Sequence, residues 1–64
     1  MYANLVSEMA KKSITKRNVA DVLNVHENTL KNKLDGKSKF NVEEGFVIRQ
    51  HFFPDLSIEY LFAE

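Results

Sequence analysis

Residues 16–34 read KRNVADVLNVHENTLKNKL, and the fold follows from how this stretch divides. Val19, Ala20 and Leu23 fall within one arc of about 100° on a helix that begins at Lys16, with Thr15 placed as its N-cap. Asn24 comes directly after the last apolar residue, and Asn tolerates the left-handed conformation that a sharp helix exit demands. Val25 then plugs the corner. The next helix spans 27–35, starting near His26 or Glu27 and stopping at Gly36, which is placed as a C′ glycine. With Leu30 set at 0° and about 100° per residue, Leu34 lies near 40°, while Lys31, Asp35, Asn28 and Asn32 spread from about 100° to 200°. Two leucines therefore attach this helix, and two amides, a lysine and an acid look outward.

The flanks extend the helical reading in both directions. Leu5, Val6, Met9 and Ala10 follow helical spacing over 3–12, and Lys11 and Lys12 suit the negative end of that helix's dipole. Ser13-Ile14-Thr15 separates it from the helix over 16–23. Beyond Gly36, the polar run Lys37-Ser38-Lys39 leads to Phe40, which turns back toward the core. Asn41 with Glu44 three residues later is a capping-box pattern that opens a helix over 42–52. That helix carries Val42, Gly45, Phe46, Val47, Ile48 and Phe52. Phe53, directly before Pro54, should leave helical geometry. Gly45 inside a helix costs roughly 1 kcal/mol relative to Ala, which predicts a close contact there. Ser57 caps a last helix over 58–63. The expectation is an all-α, compact five-helix domain covering 1–64, without repeats or linkers.

Composition narrows the function. A chain of 64 residues lies near the lower size limit for unaided folding, so a deep enzyme cleft would be hard to build. It holds no Cys, so neither disulfides nor thiolate metal sites can supplement the core. His26 and His51 have no clustered carboxylates in sequence, and no Ser has a His-plus-acid constellation around it. Gly36 and Gly45 are the only glycines, too few for a phosphate-cradling loop. Neither catalysis nor a cofactor or metal is expected. No apolar run approaches the roughly 18 residues of a membrane span, and MYANLVSEMAKK has no signal-peptide core, so a soluble cytoplasmic protein is expected.

The formal net charge is zero, yet it is unevenly spread. Residues 1–39 carry eight basic groups against four acidic ones, and residues 40–64 carry one against five. A molecule polarised in this way can present its positive end to phosphate and turn its negative end away.

Five short helices with a tight corner between the second and third resemble the helix-turn-helix family of Cro and lambda-like phage repressors. The resemblance rests on Ala20 as the small residue of the motif, Asn24 at the turn, Val25 after it, Leu30 in the following helix and Gly36 beyond it. GKSKF and the ending FFPDLSIEYLF are also similar to short regulators of Gram-positive temperate phages and prophages. Three departures accompany it. Asn24 stands where the family has Gly, Lys33 where many members have an apolar residue, and Lys16 where many carry a phosphate-bonding Gln. The resemblance implies a lambda-repressor-like domain that binds double-stranded DNA, with the third helix in the major groove and the second across the backbone.

The residues themselves support that implication. Asn28 and Asn32 lie one turn apart, and an Asn amide matches the donor and acceptor pair of adenine. Lys31 can reach guanine or phosphate. Glu27 can accept from a cytosine amine or simply favour the helix dipole. Phosphate contacts are expected from Lys16 and Arg17, where free N–H groups coincide with positive charge, from His26, and from Lys37, Ser38 and Lys39. The aromatic-rich end is mostly core, but Phe53, Tyr60, Leu61 and Phe62 are too many for one face. Some of them are expected to form a homodimer patch suited to a palindromic operator. A rival reading is a protein-binding module, an antirepressor or adaptor, and an antitoxin-like regulator is a third.

Overall fold

The computed structural model describes all 64 residues as five helices without a strand: α1 (Ala3–Lys11), α2 (Lys16–Leu23), α3 (Glu27–Leu34), α4 (Val42–Phe52) and α5 (Ile58–Leu61). Local chemistry sets the starts. The Thr15 hydroxyl accepts from Asn18 N–H, and the Asn18 side chain accepts from Thr15 N–H, both at 3.0 Å. Asn41 and Glu44 exchange the same pair of bonds at the start of α4, at 2.7 and 3.0 Å. At α5 the Ser57 hydroxyl accepts from Tyr60 N–H. Each side chain satisfies a donor that the first turn of a helix leaves without a backbone partner.

The first three helices stop in one way. Ser13, Asn24 and Gly36 are the residues with positive φ, at 56°, 58° and 86°. In each case the left-handed residue donates to the carbonyl three back, and its successor donates to the carbonyl five back: Ile14 to Met9, Val25 to Ala20, Lys37 to Asn32. This is the Schellman arrangement. Ile14 and Val25, the residues after the first two stops, pack against the core. Helices α1 and α3 end one residue short of the expected spans because these closing turns take over from the helical ladder, and α5 ends two short, with Phe62 at φ −106° as its C-cap.

Leu5 and Met9 of α1, Val19 and Ala20 of α2, Leu30 and Leu34 of α3, Ile48 of α4 and Leu61 of α5 form the buried core together with Tyr2 and Phe53. Val6, expected on the buried face of α1, is exposed, and so are Val42 (74 % exposed) and Phe46 (54 %) of α4. Their places inside are taken by Tyr2, Phe40 and Phe62, whose rings meet edge to face at centroid distances of 5.3–5.8 Å. Gly45 is buried, but the close contact expected there is not tight enough to require glycine: a Cβ would meet the Phe62 ring at an ordinary 3.5 Å. Phe53 leaves the helix before Pro54, at φ −137° and ψ 56°.

Of the four residues expected to supply a patch, two lie in the core. Phe53 and Leu61 are fully buried, and Phe62 is half-buried in the ring cluster. Tyr60 alone stays exposed, at 39 %, and its hydroxyl donates to Glu8 Oε2 at 2.7 Å. The hydrogen bond from Tyr60, with a second from Lys11, holds the Glu8 carboxyl below the ordinary glutamate range, and the bond to Glu8 raises the Tyr60 hydroxyl above its own. Asn4 Nδ2 donates to the Tyr60 carbonyl, so α1 and α5 are joined twice.

A half-buried ion pair sets the position of α3. Lys33 Nζ reaches both carboxylate oxygens of Glu44, at 2.6 and 2.7 Å, and lies 5.9 Å above the Phe40 ring centroid. The lysine that departs from an apolar pattern thus ties the end of α3 to the first turn of α4. Burial alone would raise the Glu44 pKa. The Lys33 hydrogen bond and the Asn41 N–H outweigh it and lower the value. On the other side, Lys12 Nζ donates to the Phe52 carbonyl at 2.9 Å, and Arg49 Nε donates to the Leu56 carbonyl at 2.6 Å, which occupies carbonyls around the end of α4.

Candidate nucleic-acid interface

Leu30 and Leu34 are buried, and this decides what α3 shows to the outside. Glu27, Asn28, Thr29 and Lys31 are exposed, and Asn32 is half-buried. Asp35 is exposed at the C-cap, followed by exposed Gly36, Lys37, Ser38 and Lys39. The corner at Asn24 turns α3 so that its first turn faces the start of α2. Lys16 from α2 and Glu27, Asn28 and Lys31 from α3 line one shallow polar hollow of about 320 Å³.

Several properties of this surface suit an anionic partner. Helical geometry leaves the N–H groups of Lys16 and Arg17 without intrahelical acceptors, and both side chains are exposed. Lys16, Arg17, Lys31, Lys37 and Lys39 form no salt bridge, since the chain's two ion pairs are Lys11–Glu8 and Lys33–Glu44. Five cations on α2, α3 and the loop after α3 therefore carry charge with no protein counter-ion. Glu27 and Asp35 are likewise unpaired, so the α3 face is mixed rather than uniformly basic.

Of the residues singled out in the sequence, the structure brings Lys16, Glu27, Asn28 and Lys31 to one hollow. Asn32 lies at the edge of the exposed face, and its carbonyl accepts from Lys37 N–H at 2.9 Å, which joins the loop to α3. His26 occupies the N-cap position of α3 in extended geometry, exposed and without a side-chain capping bond. Thr29 was missed. Its wheel position, near 260° from Leu30, lies beside the outward arc, and its exposure shows that the face is wider than the amides alone suggest. His26 and His51 join no group of three or more His, Cys, Asp or Glu side chains able to hold a metal. No helix is long and apolar enough to cross a membrane.

Comparison with family models, curated proteins and solved structures gives no match for this chain.

Proposed function

We propose that the chain is a sequence-specific regulator that binds double-stranded DNA through a lambda-repressor-like helix-turn-helix, formed by α2, the Asn24 corner and α3. The observation that carries this reading is the hollow where Lys16, at the start of α2, meets the exposed Glu27, Asn28 and Lys31 of α3. An α-helix anchored by two leucines, with amides and a lysine outward, fits the width of the major groove. The free N–H end of α2 and its two cations then lie where a phosphate strand passes. Asn28 and Asn32 read adenine edges, and each good bidentate pairing contributes roughly 1–3 kcal/mol of discrimination. Lys31 reads guanine or phosphate, and Lys37, Ser38 and Lys39 hold the backbone on the far side.

Two copies occupy a palindromic site in this proposal, brought together by the DNA rather than by the buried Phe53 and Leu61. The acids Glu27 and Asp35 limit indiscriminate attraction to phosphate, so binding is selective and moderate in strength. The test is in vitro selection from a random duplex pool. An enriched half-site is expected, and Asn28→Ala relaxes preference at one base pair. A pool that emerges unenriched, or an Asn28→Ala loss spread evenly over all sequences, overturns the reading.

A further inference from the structure

Two kinds of contact hold α3. Leu30 and Leu34 enter the common core with Val19, Ala20 and Ile48, while α3 packs chiefly along α2 and makes little backbone contact with α4. Apolar burial is non-directional, so it keeps a helix inside without fixing its tilt. Across the gap to α4 the directed contact is the Lys33–Glu44 pair, in which one ammonium bonds both carboxylate oxygens at 2.6 and 2.7 Å and both side chains are 15 % exposed. The carboxylate is itself held, because Glu44 Oε1 accepts from Asn41 N–H in the capping box of α4.

The pair stands away from the surface that would meet a partner. On a wheel of about 100° per residue Lys33 lies near 300° from Leu30 and Lys31 near 100°, so the two lysines leave opposite flanks of α3. Neither Lys33 nor Glu44 lines the hollow of Lys16, Glu27, Asn28 and Lys31. The pair reaches that hollow through the helix itself. Asn28 and Asn32 are four residues apart, about 6 Å along the axis, so a tilt of about 10° changes their relative depth by about 1 Å. A recognition surface works when its groups are held within roughly 0.5 Å and 10–20°. Tyr2 N–H donates to the Leu34 carbonyl and the Met1 backbone lies against Gly36, which ties the end of α3 to the segment before α1 and leaves its angle to α4 to the ion pair.

Resting on the DNA reading of α3, we propose that Lys33 and Glu44 are its positioning residues. They fix the tilt of α3 against α4, and so the depth at which Asn28, Lys31 and Asn32 meet base edges, without touching the duplex. A half-buried ion pair in place of an apolar contact selects one arrangement among several that would bury the same leucines. The consequence is specificity. Attraction to phosphate, carried by Lys16, Arg17, Lys37 and Lys39, survives loss of the pair, and discrimination between base pairs does not.

The test measures the affinity of the full chain for the half-site enriched from the random duplex pool and for a scrambled duplex, well below the melting temperature of every variant. Glu44→Gln and Lys33→Met change the net charge in opposite directions, so a purely electrostatic effect moves affinity oppositely in the two. Positioning moves both the same way: the ratio of enriched to scrambled affinity should fall about tenfold in each, as when one base contact is lost. Lys33→Arg, which keeps a cation able to bond both carboxylate oxygens, should hold the ratio to within about twofold. An unchanged ratio in Glu44→Gln and Lys33→Met beside a lower Tm would make the pair a stabilising contact and overturn the proposal, and so would affinities that shift oppositely at constant ratio. Residual dipolar couplings of the weakly aligned, isotope-labelled chain give a readout that needs no DNA: in Glu44→Gln, α3 should tilt by about 10° relative to α2. A pool without enrichment sinks the DNA reading, and that result is distinct from an α3 that keeps its orientation, which overturns the positioning role.

Discussion

Replacing Glu44 by Gln removes a charge from the contact between α3 and α4 while leaving an oxygen to accept from Asn41 N–H, so the cap is kept and the ion pair is broken. Breaking a fully buried pair from one side costs about 3–5 kcal/mol, and an exposed pair contributes about 0–1 kcal/mol. Both side chains here are 15 % exposed, and the lysine bonds both carboxylate oxygens. The cost should lie between these limits, at about 1–2 kcal/mol for Glu44→Gln and about 2 kcal/mol for Lys33→Met, which strands a half-buried carboxylate. In a domain of this size 1 kcal/mol corresponds to roughly 4–8 °C in Tm, so drops of about 5–15 °C are expected. The double variant should lose about 1 kcal/mol less than the sum of the two single changes. The pH dependence supplies a second readout. The folded-state pKa of Glu44 is lowered, so its stabilisation is fully present above the unfolded-chain pKa and is lost as pH falls through the folded value. The Tm gap between the parent and Glu44→Gln should be full at neutral pH and close on acidification below the ordinary glutamate range. Calorimetry or far-ultraviolet melts from neutral to acid pH measure both effects. A gap that does not change with pH, or single changes that add without coupling, would mean that the Lys33–Glu44 pair does not secure α3 to α4.

Ser13→Gly should raise stability by about 0.5–1 kcal/mol, because Ser13 holds a left-handed conformation that glycine adopts without a side-chain clash; denaturant melts read the midpoint shift. Gly45→Ala should also stabilise, by roughly 0.5–1 kcal/mol, since a Cβ there meets Phe62 at an ordinary 3.5 Å and Ala is the better helix former; a lower Tm would show that the space beside Phe62 cannot accept even a methyl group. Lys37→Ala with Lys39→Ala should reduce the salt slope of log K for duplex DNA by about 0.9 for each phosphate that the loop ceases to neutralise. An unaltered slope in fluorescence anisotropy titrations would remove the loop from the interface.

The parts of this molecule that could be read from its sequence are those decided within a few residues. Thr15, Asn41 and Ser57 cap because a side-chain oxygen meets an N–H three positions on, and Asn24 and Gly36 stop helices through bonds reaching three and five positions back. The outward face of α3 was legible for the same reason, since Leu30 and Leu34 on one side of a short helix leave Asn28 and Lys31 on the other. Ser13 adopts the same stop as Asn24, but a serine gives little hint of it. What could not be read depends on distant packing. Nothing near Tyr2 announces that its ring will meet Phe40 and Phe62, and once those three rings fill that end, Phe46 and Val42 are left outside. The burial of Phe53 and Leu61 likewise depends on partners far along the chain. Lys33 looked like a flaw in an apolar pattern until Glu44, eleven residues on, supplied its partner.

The bonds that join α1 to α5 also set a timetable for folding. Asn4 reaches Tyr60 across 56 residues and Glu8 reaches it across 52, while α2 and α3 are neighbours in the chain. At a synthesis rate of about 5–20 residues per second, Asn4 waits roughly 3–11 s for its partner to be made. Through that interval Leu5 and Met9 lack the Leu61 side of their core, and α2 with α3 can close first. Of the five helices α1 is made first and secured last, so its apolar face waits for Leu61 longer than α2 and α3 wait for each other.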